Sequence, residues 1–427
     1  MMLLRGMAQR TCLIVASLLL TLAGLELGFR WFRWHRLTLG EREDHPIYHH
    51  RLKPNWTFHQ HAPDFDTIAT TNNLGLRGPT DYGDKPPGVT RLLMLGDSFT
   101  FGVGVNDPET FCALLQQALR PHQPDLEVIN AGLGGCSPLL EYLALRDVYL
   151  PLAPDAVILW FDFNDLQDDF FYERNVRMDE HGHILACDPN YFHGRFNWGW
   201  YVRERSALLK YCYNKFVRTY QKMKILGVSG YLSAKLRGER AKAAIAKLQG
   251  TQRHQTDPLN YDALLMIRNR EHLPEIRKHW EQTGRNLLMI RDLLRERGIP
   301  FVLAIYPYGV QVGPDQWGQG RKAFGFEPGV TYDDPFPFEF IEAFAKTHAI
   351  PLINTYPAFL AARDRRLFHD WDGHFAPEGH QVIASYLRTD PLFQQLVTSL
   401  THKQSTFASS PDRRHKQVSA RGGLESP

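Results

Sequence analysis

Cysteine is scarce in this chain. There are five in 427 residues (Cys12, Cys112, Cys136, Cys187 and Cys212), an odd number with no C-x-x-C spacing. That count excludes a zinc ribbon and a disulfide-stapled scaffold. There is no G-x-x-x-x-G-K-[ST] loop to cradle nucleotide phosphates and no H-E-x-x-H pair for a catalytic zinc. His45, His49, His50, His59 and His61 show no ligand spacing, so solvent-facing side chains explain them and no metal is expected. An excess of one charge is missing too. Lys+Arg 49 against Asp+Glu 46 leaves +3, and Thr401 to Pro427 alone, with Lys403, Arg413, Arg414, Lys416 and Arg421 against Asp412 and Glu425, accounts for it. A folded body without basic excess is a poor nucleic-acid binder, and none is expected as a partner. With 43% hydrophobic and 22% charged residues, wholesale disorder and a polytopic membrane protein are both excluded.

Long apolar runs are absent except for one. Thr11 to Phe29 carries a single charge, Glu26, lies after Arg5 and Arg10, and is followed by Arg30-Trp31-Phe32-Arg33-Trp34-His35-Arg36. That is long enough to span a bilayer, with aromatic and basic residues at interface depth. No small-residue cleavage site follows, so an uncleaved transmembrane anchor over residues 1–36 is expected. Arginines flank both ends, so charge alone does not orient it.

Residues 37–90 are rich in His, Pro, Asn and Asp and include the turn-forming Asn72 to Gly78, which reads as an extension of loops and short strands. From Arg91 an alternation begins. Apolar strands are expected at 91–95, 126–130, 156–161, 301–306 and 351–353, and helices at 108–119, 138–149, 273–297, 337–348 and 377–387. Continuous apolar strands separated by helices indicate a parallel sheet covered on both faces. The pattern breaks between about 167 and 273, a stretch that is aromatic, basic and helix-prone without strand signals, and reads as a helical insertion. Within it Arg203 to Lys224 interleaves basic and aromatic residues, as a cap helix or an interfacial helix would. Residues 397–427 turn Ser, Gln and Arg-rich, and a disordered basic tail is expected there. The folded domain so delimited is 91–396.

Chemistry gathers at the carboxyl ends of the strands, where open α/β sheets bind ligands. Gly96-Asp97-Ser98 delivers a serine hydroxyl at the first strand end, though a helix-capping Ser would look the same. Asn130 to Gly135 ends the second strand with glycines that leave backbone N–H groups able to face a ligand. Asp162-Phe163-Asn164-Asp165 ends the third, where a side-chain amide can donate to a developing oxyanion. Near the carboxyl end stands His369-Asp370-Trp371-Asp372-Gly373-His374. A serine needs an imidazole to take its proton and a carboxylate to hold that imidazole's tautomer, and both Asp370 and Asp372 lie within local reach of His374.

Taken together, these four segments resemble the SGNH (GDSL) hydrolase superfamily. The resemblance implies Ser98 as nucleophile, Gly135 and Asn164 as oxyanion donors and His374 as base. It also implies a flavodoxin-like three-layer α/β/α sandwich acting on esters, with no cofactor. Two positions depart from the pattern: Asp162 stands where the third block usually has Gly, and Trp371 stands where the Asp of Asp-x-x-His would be. The Asp372-Gly373-His374 spacing is instead similar to the Asp-x-His of the alginate O-acetyltransferase branch, which favours Asp372 over Asp370. The anchor likewise looks like that of membrane-tethered bacterial members. By resemblance, then, the chain is a single-pass inner-membrane protein whose catalytic domain is extracytoplasmic, with an acylated small molecule or polysaccharide as substrate. A catalytically silent glycan-binding or assembly protein on the same fold is the alternative.

Overall fold

The computed structural model describes the backbone of residues 2–36, 41–206, 264–268 and 273–408, with short pieces between 208 and 219. Two compact units emerge: Met1–His50 with Arg174–Thr256, and Arg51–Glu173 with Asp257–Pro427.

The second unit is built on a five-stranded parallel sheet. Its strands in chain order are Thr90–Gly96, Leu126–Gly132, Ala156–Phe161, Phe301–Ile305 and Leu352–Asn354. In space they run fifth, fourth, third, first, second, the doubly wound order of flavodoxin-like sheets. Every residue of the first, third and fourth strands is buried, as expected of strands covered on both faces. Gly96 is in register with Trp160 and Gly132, and Phe161 with Ile305, so the carboxyl ends of four strands align at one edge. Helices Phe111–Leu119 and Pro377–Thr389 pack on one another, and Leu273–Arg295 packs on Pro138–Ala144 and Asp165–Tyr172. The helix expected over 138–149 is α-helical only to Ala144 and then widens into a π turn, Leu145–Tyr149, ahead of Pro151.

The amino-terminal extension braces this unit. A hairpin, Thr57–Ala62 with Phe65–Thr70, leads into Arg77, which is buried and donates from Nε to Asp107 (2.6 Å), from Nη1 to Gly102 O (3.2 Å) and from Nη2 to Val105 O (2.8 Å). The loop after the Ser98 turn is thereby tied down by charge-assisted bonds.

Two expectations need correction. The insertion contains strands: Val176–Met178 pairs with Ile184–Cys187, and Tyr191–Phe192 with Arg195–Phe196. The second hairpin closes through His193 (φ 49°) and Gly194 (φ 72°), a two-residue turn whose left-handed pair matches strand twist. Read as composition, such short strands give no alternation long enough to detect. Nor does the chain become a tail at 397, since a helix runs Pro391–Ala408 and buries Phe393, Leu396, Val397 and Leu400. Residues 409–427 lie outside the described residues, as does part of Arg203 to Lys224, including Lys210, Arg218, Lys222 and Lys224.

In the first unit the helix Met2–Arg36 contains the apolar run, and Glu26 accepts hydrogen bonds from Ser206 Oγ (2.7 Å) and Leu208 N (3.1 Å). Several side chains of this helix are outside the described set, and among the described residues no helix is long and apolar enough to cross a membrane. The structure therefore does not carry the anchor expectation.

Candidate active site

Ser98 opens a four-residue helical turn, Ser98–Phe101, one residue past the buried cap Asp97, whose Oδ1 accepts the Phe99 N–H at 2.9 Å. The turn packs so closely on the second strand that a Cβ on Gly132 would stand 2.2 Å from Phe101 N, which only glycine permits. The Asn130 side chain staples the same contact, donating to Thr100 O at 2.9 Å.

His374 reaches this hydroxyl from the loop before the last core helix. Its Nε2 lies 2.7 Å from Ser98 Oγ, and its Nδ1 hydrogen-bonds the Asp372 carboxylate. Asp370 faces elsewhere: its Oδ1 accepts the Gly318 N–H at 2.8 Å. Burial opposes the imidazolium, but the Asp372 carboxylate bonded to it and the Asp97 charge outweigh that, so His374 titrates above its ordinary 6.5. For Asp372 burial likewise works against the charge, and His374 overcomes it, holding the carboxyl below its usual range. Ser98 Oγ also lies 3.1 Å from Asp97 Oδ2. A hydroxyl has one proton, so neutral His374 and Asp97 compete to accept it.

The loop is held from two sides. Asp64, in the turn of the 57–70 hairpin, accepts the Trp371 N–H at 2.9 Å and pairs with Arg366 at 3.4 Å. Trp317 packs on Gly373, and both line a cavity of about 130 Å³ together with Ser98, Phe99, Asn164, Leu264, Tyr308, Phe324, Asp372 and His374.

Of the five residues singled out from sequence, Ser98, Asn164, Asp372 and His374 share this cavity. Gly135 is not among its lining residues. It sits in the loop after the second strand at φ 69°, its carbonyl accepting from Tyr172 Oη at 2.7 Å. Among the described residues, no group of three or more His, Cys, Asp or Glu side chains could hold a metal. Sequence reasoning missed Tyr306 and Tyr308, two phenols just past the fourth strand. Tyr306 Oη lies 3.0 Å from Asp97 and 2.9 Å from Asp162, and Tyr308 Oη bonds Asp162. Their place at the carboxyl edge was the available signal. Trp317 and Phe324, in a loop without motif, offered none.

A hydroxyl on an imidazole backed by a carboxylate, at the carboxyl edge of a doubly wound sheet, is the arrangement of serine hydrolases. The model of the GDSL-like Lipase/Acylhydrolase family matches residues 94–382, more than half of the chain, and the chain belongs to that family of ester-hydrolysing enzymes. Solved structures similar to it include the acetyl xylan esterase AlAXEase, at 15% identity over 70% of this chain and 98% of that one, TM-score 0.32. A catalytic mutant of Axe2, an acetylxylan esterase from Geobacillus stearothermophilus, matches at 12% over 71% and 95%, TM-score 0.32. LAE5, an alpha/beta hydrolase enzyme from the metagenome of Lake Arreo, Spain, matches at 14% over 75% and 98%, TM-score 0.31. No curated protein matches the chain.

Proposed function

We propose that this protein is a serine-dependent acyl hydrolase or O-acyltransferase working on an ester or acylated glycan. The carrying observation is the 2.7 Å contact of Ser98 Oγ with His374 Nε2 at the cavity that Asn164 also lines. Neutral His374 removes the Ser98 proton as the oxygen attacks the acyl carbonyl, and Asp372 stabilises the imidazolium that forms. The Ser98 N–H and the Asn164 side-chain amide, both on the cavity, receive the oxyanion. His374 then protonates the leaving alkoxide, and water or a sugar hydroxyl, deprotonated by the same imidazole, releases the acyl group. A cavity of about 130 Å³ with aromatic walls suits a short acyl chain.

The test is the purified protein with p-nitrophenyl esters of increasing chain length, with and without an oligosaccharide acceptor, alongside fluorophosphonate labelling. Turnover of short esters and labelling lost in Ser98→Ala support the reading. No labelling of the folded wild type sinks it and favours the silent glycan-binding alternative.

The location belongs to the same proposal. The run of residues 11–29, with Glu26 its one charge, lies within the helix Met2–Arg36, and Leu13, Ile14, Leu18, Leu20 and Leu27 are all exposed on it. A sequence run of that length with one charge is what a single-pass tether in a bacterial inner membrane needs, with the hydrolase outside the cytoplasm. Release of the full-length chain from membranes by alkaline wash would refute the tether, and protease accessibility in spheroplasts reads the side.

A further inference from the structure

Three adjacent strands end in acids and a phenol. Asp97 lies just past the first strand, Asp162 just past the third and Tyr306 just past the fourth, and all three are buried. Tyr306 Oη stands between the two carboxyls, 3.0 Å from Asp97 Oδ1 and 2.9 Å from Asp162 Oδ2. A phenol has one proton to donate, so it satisfies one carboxylate, and the other contact is a hydrogen bond only if that carboxyl is the donor.

The remaining bonds show which one. The Asp97 oxygen that meets Tyr306, Oδ1, already accepts the Phe99 N–H at 2.9 Å, so it takes the phenol's proton rather than carrying one. Asp162 Oδ1 accepts from Tyr308 Oη and from the Asn164 N–H at 3.1 Å, and among the described residues its Oδ2 meets only Tyr306, which leaves Oδ2 to carry a proton. We propose that Asp162 is a positioning residue that stays protonated and donates through Tyr306 to Asp97, holding the nucleophile turn and the Asn164 loop in one hydrogen-bonded frame. The groups facing it are Asp97, Asp165 on its own turn with Glu141 behind, and the phenols Tyr306 and Tyr308, none of them cationic. Burial foremost, then the Asp97 charge, push the Asp162 carboxyl well above the usual carboxylate range.

Of the two carboxyls that Tyr306 joins, only Asp97 then carries charge, beside Ser98. The positioning role rests on Ser98 and His374 being the reacting pair, but its protonation claim can be read without turnover.

The experiment compares wild type, Asp162→Asn, Asp162→Ala and Tyr306→Phe in the full chain. Asn supplies an N–H where the acid supplies its O–H, so Asp162→Asn should rescue the turnover that Asp162→Ala loses, a fall of about tenfold or more in kcat with KM little changed. Its kcat/KM acid limb should stay where the wild type has it, because no charge has been removed. Tyr306→Phe should fall as Asp162→Ala does. Infrared difference spectra at neutral pH should show one un-ionised carboxylic acid band lost in Asp162→Asn, a readout independent of activity and of how Asp162→Ala folds. A downward shift of the acid limb in Asp162→Asn, or loss of a carboxylate band instead of an acid band, would overturn the proposal. Failure of the wild type to label with fluorophosphonate would refute the serine mechanism and leave the infrared result to decide Asp162.

Discussion

Asp372 and His374, separated by a single glycine, hydrogen-bond side chain to side chain, and that bond leaves His374 Nε2 free to meet Ser98 Oγ at 2.7 Å. Asp370, two residues earlier, turns away to cap the loop at Gly318 and Gln319. The two acids therefore have separable roles. Asp372→Asn should lower kcat by on the order of a hundred to ten thousandfold with the fold intact. Asp370→Asn should leave kcat nearly unchanged, whereas Asp370→Ala should cost melting temperature by orphaning the half-buried Gly318 N–H. Steady-state kinetics with circular dichroism decides it, and the opposite ranking would reverse the assignment.

On the proposed mechanism Ser98 and His374 act as one unit. Each of Ser98→Ala and His374→Ala should cost about a thousandfold or more in kcat, and the double variant little beyond either. Multiplicative losses would show that the pair does not share a step.

The pH profile follows from His374. A general base works neutral, and burial here is outweighed by Asp372 and Asp97, which hold the ring above its ordinary 6.5. The acid limb of kcat/KM should therefore lie above 6.5, activity rising with pH through it. Asp97→Asn removes one of the charges that favour the imidazolium and should move the limb down; an unmoved limb would contradict the assigned cause.

Gly373 is a steric requirement. It sits at φ 94°, and a Cβ there would stand 2.5 Å from Trp317 Cε2. Gly373→Ala should displace the Asp372–His374 loop and lower kcat by about tenfold or more, and Trp317→Ala in that background should restore part of the loss, since it relieves the clash but not the left-handed backbone. No recovery in the double variant would place the whole cost in the backbone.

Glu141 offers a stability test. Its carboxyl is buried, neither oxygen makes a hydrogen bond among the described residues, and burial, then Asp169 and Asp97, raise its pKa well above 4.5. The unfolded chain releases this proton near the ordinary value while the folded chain keeps it, so folding loses stability as pH rises from about 4.5 through the folded value. Glu141→Leu removes that slope. Its gain in melting temperature should be larger at pH 8 than at pH 5, and an equal gain at both would refute the shift.

Strand identity was legible because continuous apolar runs such as Ala156 to Phe161 have few other uses. The position of Ser98, Asn164 and His374 at element ends was legible for the same reason, since a motif abutting such a run must lie at the sheet's edge. The two-residue hairpin turn at His193 and Gly194 was not, because a left-handed pair is a backbone property that His-Gly only weakly signals. The helix Pro391–Ala408 was missed because polar residues on its outer face resemble a tail when its packing partner is unknown.

By itself, then, the sequence determined the alternation of strands and helices and the chemical types delivered to the strand ends, because both depend on local order and burial. Only the tertiary structure decided between Asp370 and Asp372, since two residues of backbone place both within reach of His374 and the choice turns on a contact with Gly318. It alone brought Tyr306 between Asp97 and Asp162, residues 209 and 144 positions away along the chain. Whether a buried acid keeps its proton depends on what stands opposite it in space, and the order of residues does not encode that pairing.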